Sequence, residues 1–142
     1  VDYLVMGMSA ETFWDGMQGS IELQKRVEER AGVKVAMGSD ACQAALKNYG
    51  DIKRIAVVTP YMPVGDDQVK RFFADCGYEV VHLIGLKCPS PMQIAMARLA
   101  GIAEFWFDKP VIAINTATYW WALRQNGIND KIQGFGSLLS HY

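Results

Sequence analysis

Three stretches that share one grammar predict an α/β fold, a parallel sheet flanked by helices. They are Tyr3-Leu4-Val5-Met6-Gly7-Met8-Ser9, Ile55-Ala56-Val57-Val58-Thr59-Pro60-Tyr61 and Val111-Ile112-Ala113-Ile114-Asn115-Thr116-Ala117-Thr118. Each is a short run of β-branched and apolar residues that stops abruptly at small hydroxyl or amide residues. That pattern reads as a buried strand whose carboxyl end opens into a polar turn. Helical sequence lies between the strands, and such alternation implies βαβ units with right-handed crossovers. In an open parallel sheet, ligands bind just outside the carboxyl ends of the strands. Ends that carry Ser, Thr, Tyr and Asn therefore mark the place of a small-molecule pocket built from neutral hydrogen-bond donors.

The elements follow in order. After the first strand, residues 10–18 form a mixed apolar segment (Phe13, Trp14, Met17), a short helix or lid. Ser20 is the expected N-cap of a helix over 21–31, with Glu22 in its first turn and Gly32 just past its end. Residues 33–37 are a short strand candidate. Ser39 or Asp40 then opens a helix through Ala41, Ala44, Ala45 and Leu46 that stops at Gly50. Strand 55–59 leads through the turn 60–65 into an Asp66-capped helix bearing Val69, Phe72 and Phe73, which ends at Gly77. Residues 78–84 are the next strand, 85–91 a loop, and 92–107 a helix with Ile94, Leu99, Ile102 and Trp106 inward. Lys109-Pro110 breaks that helix before strand 111–115. A last helix from about Ala117 carries Trp120, Trp121 and Leu123 and ends at Asn126-Gly127.

Composition bounds the function. The 142 residues are one domain's worth of chain, 51% apolar and 20% charged, which fits a well-packed globular protein. A net charge of −1 without any basic stripe argues against nucleic-acid binding. No apolar run approaches a membrane span, which takes about 18 residues, and no signal-peptide pattern is present. Cys42, Cys76 and Cys88 are odd in number and form no C-x-x-C pair, so a reducing, cytoplasmic location is expected. Neither His82 nor His141 lies at ligand spacing from a cysteine, and no metal site is expected. No phosphate-cradling glycine fingerprint appears, which argues against nucleotide cofactors. The chain enters strand pattern almost at Val1, and upstream sequence is expected to precede it.

The candidate chemistry lies at the strand ends. Gly7 can bring backbone close to a ligand while the following N–H groups and the Ser9 hydroxyl bind an anion; Ser9 can equally cap the next turn. Tyr61, directly after Thr59-Pro60, projects from the sheet edge, where its hydroxyl can donate to a carboxylate or simply lie in water. Asn115-Thr116-Ala117-Thr118 precedes a helix whose N–H groups favour an anion, although Thr116 or Thr118 can be a plain N-cap. Cys88, beside Lys87 in a loop, is a candidate nucleophile or an incidental thiol. Cys42 and Cys76, within helices, read as packing residues.

At these residues the chain resembles the maleate isomerase and arylmalonate decarboxylase branch of the aspartate/glutamate racemase superfamily. The resemblance lies in Val5-Met6-Gly7-Met8-Ser9, in Ala56-Val57-Val58-Thr59-Pro60-Tyr61 and in the segment from Lys109-Pro110-Val111 to Leu123-Arg124. It extends to Gly127-Ile128 and Gly134-Phe135-Gly136-Ser137-Leu138-Leu139. Within the branch it looks most like the ectoine-utilisation proteins known as EutA. The resemblance implies a racemase-like domain, part of a two-domain pseudo-symmetric protein, that works without cofactor on a small carboxylate. It matches Ser9 to a carboxylate-binding hydroxyl and Tyr61 to the pocket tyrosine. With the strand-end and loop readings above, the expected substrate-binding residues are Gly7, Met8, Ser9, Pro60, Tyr61, Asn115 and Thr116, and the catalytic candidates are Ser9, Tyr61 and Cys88. The position of the first family cysteine falls on Gly7, as in the decarboxylases. A helix and strand that carry the second are lacking where Gln93-Ile94-Ala95 runs into Met96-Ala97-Arg98, so the expectation is either residues missing between 95 and 96 or a truncated, inactive form.

The expectation is a cofactor-independent isomerase, racemase or decarboxylase of a small carboxylic or dicarboxylic acid. The alternative is a non-catalytic carboxylate-binding accessory protein of amino-acid or ectoine catabolism. Partners are expected to be the carboxylate and a second copy of the chain, with Phe13, Trp14 and Met17 covering the pocket or packing in a homodimer.

Overall fold

The computed structural model describes residues 1–90 and 107–142. Among these the order is β1 (Tyr3–Val5), a 3-10 helix (Ala10–Phe13), α1 (Gly16–Ala31), β2 (Lys34–Ala36), α2 (Gly38–Asn48), β3 (Arg54–Thr59), α3 (Pro63–Asp75), β4 (Glu79–Gly85), α4 (Ile114–Gln125) and α5 (Ser137–His141). The expected helix over 92–107 and the junction at 95–96 lie outside the described residues, Phe107 excepted. The fold is α/β with parallel strands flanked by helices. β1 pairs with β2 in parallel, from Tyr3 opposite Lys34 to Val5 opposite Ala36. β3 pairs with β4 in parallel, with an irregularity between Ile55 and Ala56. Parallel neighbours need a crossover, and α1 and α3 supply the two.

The core is built by the 3-10 helix, α2, α3, α4 and α5. Phe13 meets Val69, Phe72 and Phe73 of α3, and Ala41, Ala45 and Ala117 leave room for α2 and α4 to pack closely. Phe13 stands edge-on to Phe72 with ring centroids 5.2 Å apart. That corrects one expectation. Phe13 is only 3% exposed and belongs to the core, so only Trp14 (43%) and Met17 (38%) of the expected patch face outward.

Two further elements differ from the sequence reading. α1 begins at Gly16, one turn ahead of Ser20, with Asp15 as N-cap in the left-handed region at φ 58°. The group that satisfies its first turn comes from elsewhere in the chain: the Asp75 carboxylate of α3 accepts the Met17 N–H at 3.1 Å. Ser20 instead sits inside the helix, buried, with its Oγ 2.7 Å from Ser39 Oγ. The second difference is the third diagnostic stretch. Residues 111–113 lie in no strand, and helix begins at Ile114 with Ala113 as N-cap. A four-residue apolar run cannot by periodicity be told from the buried start of a helix. Here helix is favoured because Ile114 seats against Gly38 at the start of α2, where a Cβ would come within 2.6 Å of its Cδ1. The C-terminal punctuation was legible: Gly32, Gly77 and Gly127 all adopt positive φ just beyond a helix.

Candidate active site

The end of β3 is fixed by a network around one turn. Pro63 occupies the first turn of α3, a position where its missing N–H costs nothing. Asp66 follows in the same turn but does not cap it; its carboxylate accepts the Thr59 hydroxyl. The Asp66 carboxylate fills the space that a side chain at Gly85 would take. The chain leaving β4 then laces onto the turn. Leu86 N–H donates to the Thr59 carbonyl (2.8 Å), Cys88 N–H to Pro60 (2.9 Å) and Lys87 N–H to Tyr61 (3.2 Å). Tyr61 is thereby held on both sides.

Gly65 completes the seat. It is buried, and a Cβ there would lie 2.8 Å from Tyr61 Cβ and 3.2 Å from its Cγ. Both are ring-proximal atoms that cannot swing away as the end of a flexible side chain would. Gly65→Ala is therefore expected to displace the Tyr61 ring and lower stability by about 1–3 kcal/mol, the usual range for overpacking. Urea denaturation and the tyrosine NMR signals check both parts; an unmoved Tyr61 resonance would contradict this reading of the seat.

β1 delivers the second hydroxyl. Met6 N–H donates to the Ala36 carbonyl (3.0 Å), which extends the ladder one residue. Gly7 and Met8 then run exposed into Ser9, the residue preceding the 3-10 helix. The Ser9 side chain does not cap that helix. Its Oγ lies 2.8 Å from the Tyr61 hydroxyl, so residues 52 positions apart meet at one hydrogen bond. Burial raises the Tyr61 pKa above its ordinary value, with smaller upward pushes from Cys42 and Glu11, while the Ser9 bond pulls it down. The phenol is thus a neutral donor at physiological pH.

The remaining candidates divide. Asn115 and Thr116 lie in the first turn of α4 and not beyond a strand; Asn115 is exposed and Thr116 half-buried. Ile114 brings that turn against Gly38, whose Cβ position is 3.5 Å from Thr12 Oγ1. Thr118 is no cap, since its hydroxyl donates back to the Ile114 carbonyl at 2.7 Å. Cys88 is half-buried and its backbone is tied to Pro60. Burial pushes the Cys42 thiol up to about 12 and the Cys76 thiol to about 11, the latter against a hydrogen bond from Gln43. Neither is a thiolate at neutral pH. Pro60 is half-buried between Thr59 and Tyr61.

Sequence reasoning missed Gly65, Asp66 and Thr12 as supports of this site. Gly65-Asp66 had a signal, a small residue one turn after the tyrosine, but Thr12 had none within its own segment. A separate cleft of about 620 Å³ is lined by Tyr3, Glu28, Asp40, Lys47, Trp120 and Trp121 among others, and none of the candidate residues reaches it. Burial, and then the neighbouring Glu28, raise the Asp40 pKa there. Among the described residues, no group of three His, Cys, Asp or Glu side chains could hold a metal ion. No described helix is long and apolar enough to cross a membrane.

The sequence model of the arylmalonate decarboxylase family matches residues 3–102, well over half of the chain. This chain belongs to that family. No curated protein matches it. Solved structures share the family's fold. A mutant of the Nocardia farcinica maleate cis-trans isomerase, with a covalently bound succinylcysteine intermediate, is 20% identical with a TM-score of 0.83, over 99% of this chain and 72% of that one. The maleate isomerase Iso from Pseudomonas putida S16 is 23% identical with a TM-score of 0.78, over 99% and 71%. An arylmalonate decarboxylase is 18% identical with a TM-score of 0.81, over 100% and 75%. Within this arylmalonate decarboxylase family member, the described strands form two separate parallel pairs, β1 with β2 and β3 with β4, and the Ser9–Tyr61 hydrogen bond joins the segments that follow β1 and β3.

Proposed function

We propose that this family member is a cofactor-independent enzyme acting on a small carboxylic or dicarboxylic acid at the carbon next to the carboxyl group, by isomerisation, racemisation or decarboxylation. The observation that carries the reading is the Ser9–Tyr61 pair at 2.8 Å. Two hydroxyls hold two protons; their mutual bond uses one and leaves the other for a ligand oxygen. With the N–H groups of the exposed 7–9 turn, they form a set of neutral donors facing a carboxylate. When a bond at the adjacent carbon breaks, negative charge moves onto the carboxylate oxygens, and donors already in place stabilise it without reorganising. Proton delivery falls to Cys88 or to a water held by Ser9 and Tyr61. A cytoplasmic homo-oligomer belongs to the same reading.

The absence of both family cysteines favours the accessory-protein alternative: Gly7 stands at the first position, as it does in the decarboxylases, and the segment expected to carry the second is lacking. The test is an NMR assay in deuterated buffer with maleate and phenylmalonate, scored for isomer, decarboxylated product and deuterium at the α-carbon. Turnover of either acid supports the enzyme. Calorimetric binding without turnover transfers support to the accessory role, and neither binding nor turnover sinks both.

Gly7 also yields an expected result. It is exposed, and a Cβ there would meet nothing within 4 Å. Gly7→Cys is therefore expected to change stability by no more than about 0.5 kcal/mol, as at open surface positions, while placing a thiol near Ser9. A gain of thiol-dependent deuterium exchange, blocked by iodoacetamide, is the expected activity readout. A strongly destabilised variant would show that the turn is less open than its geometry indicates.

A further inference from the structure

Thr12 is a small polar residue in the interior, 0% exposed, one turn after Ser9. Its Oγ1 donates to the Ser9 carbonyl at 2.7 Å and accepts the Ser39 N–H at 3.2 Å. That amide is one of the first-turn N–H groups of α2, which has no side-chain cap of its own. Ser39, also 0% exposed, passes the network on through its Oγ to Ser20 in α1 at 2.7 Å. The buried hydroxyls therefore tie α1, α2 and the 3-10 helix to the one turn that presents Ser9 to Tyr61. A buried hydroxyl needs partners to offset its desolvation. A core position could have been filled by valine, of the same shape, without that requirement.

We propose that Thr12 is a positioning residue for the site, its hydroxyl holding the Ser9 turn so that Ser9 Oγ meets the Tyr61 phenol. The role acts through Ser9, and Thr12 itself does not touch substrate. The proposal rests on the reading of Ser9 and Tyr61 as the carboxylate site only for its consequence in binding; its primary readout is independent of any substrate. The Ser9 hydrogen bond lowers the Tyr61 pKa against burial, so loss of that bond raises it. Glu11 and buried Cys42, the other groups acting on the phenol, are unchanged in every variant used.

The test is the titration of Tyr61, followed by the ring-carbon signal of labelled tyrosine and assigned with Tyr61→Phe. In Thr12→Val the midpoint is expected to move up, in the same direction as in Ser9→Ala. In Thr12→Ser, which keeps the hydroxyl, it is expected to stay at the wild-type value. If Thr12→Val does not fold, Thr12→Cys, of similar size and a weak donor, serves in its place with the same expected upward shift. A folded Thr12→Val or Thr12→Cys with a wild-type Tyr61 midpoint overturns the proposal and leaves Thr12 a stability residue. A shift in Thr12→Ser also overturns it, since the hydroxyl would then not be what holds the turn. Calorimetry with maleate supplies the second arm. Weaker binding in Thr12→Val with recovery in Thr12→Ser, alongside the shifted midpoint, extends the proposal to the ligand. A shifted midpoint with no maleate binding in any variant, wild type included, upholds the positioning role and counts against the carboxylate reading alone.

Discussion

Tyr61→Phe is expected to lower kcat by about 10²-fold, equivalent to about 2.7 kcal/mol of transition-state stabilisation, with KM for the acid changed far less. The substitution removes one hydroxyl and keeps the ring that rests on Gly65 and α3. What is lost is a donor whose value grows as charge builds on the carboxylate oxygens, so the loss falls on the chemical step. Removing Ser9 Oγ by Ser9→Ala leaves Tyr61 in place but frees it to rotate, and the smaller hydroxyl network is expected to lose binding and turnover together. The pH profile gives a second check. With its pKa raised above the ordinary tyrosine value, near about 10, the Tyr61 phenol stays protonated through neutral pH. A donor role then survives across the neutral range and is lost as pH rises through the folded-state value. Folding stability held by the neutral, buried phenol is lost over the same alkaline window: it is fully present below the unfolded pKa and disappears as pH passes the raised one. Unchanged turnover in Tyr61→Phe would remove Tyr61 from the mechanism.

The legible parts of the molecule were those written in local sequence. Parallel strands 3–5, 34–36, 54–59 and 79–85 follow from runs of Val, Ile and Ala, and Gly32, Gly77 and Gly127 end their helices at positive φ. Ser9 and Tyr61 were legible as hydroxyls just beyond strand ends, but their meeting was not, since β1 and β3 belong to separate strand pairs and the two residues are joined by a hydrogen bond across 52 positions. What was hidden depended on partners far away in the chain. The start of α1 is set by Asp75 and Gln68, and Ser20 turns inward because Ser39 waits there. Ile114 becomes helical because α2 offers a glycine to pack on, and Thr12 acquires its role from Ser39, 27 positions away. A propensity reading sees the residue but not the group across from it.

Phe72→Ala should be the most damaging single change in the described core, lowering unfolding free energy by about 3–5 kcal/mol and Tm by on the order of 10 °C. Phe72 is among the largest fully buried side chains, and it meets Phe13 and Phe73 edge-on at 5.2 and 5.5 Å. Truncation removes the transfer energy of the ring and leaves a cavity that two neighbouring rings cannot both collapse into. The damage has a direction. Phe13 ends the 3-10 helix that begins just after Ser9, and with Phe72 gone that short helix loses the aromatic face that seats it on α3. A volume-reduced but still bulky Phe72→Leu is expected to lose only about 1 kcal/mol, within the range for hydrophobic swaps of similar volume. A double-mutant cycle with Phe13→Ala isolates the ring pair, and a coupling of about 0.5–1.5 kcal/mol is expected for two edge-on aromatics. Urea denaturation of the four proteins of the cycle and of Phe72→Leu measures the losses and the coupling. Simple additivity would show that Phe13 is held by its backbone turn, and that the site's first hydroxyl does not depend on the aromatic cluster beneath it.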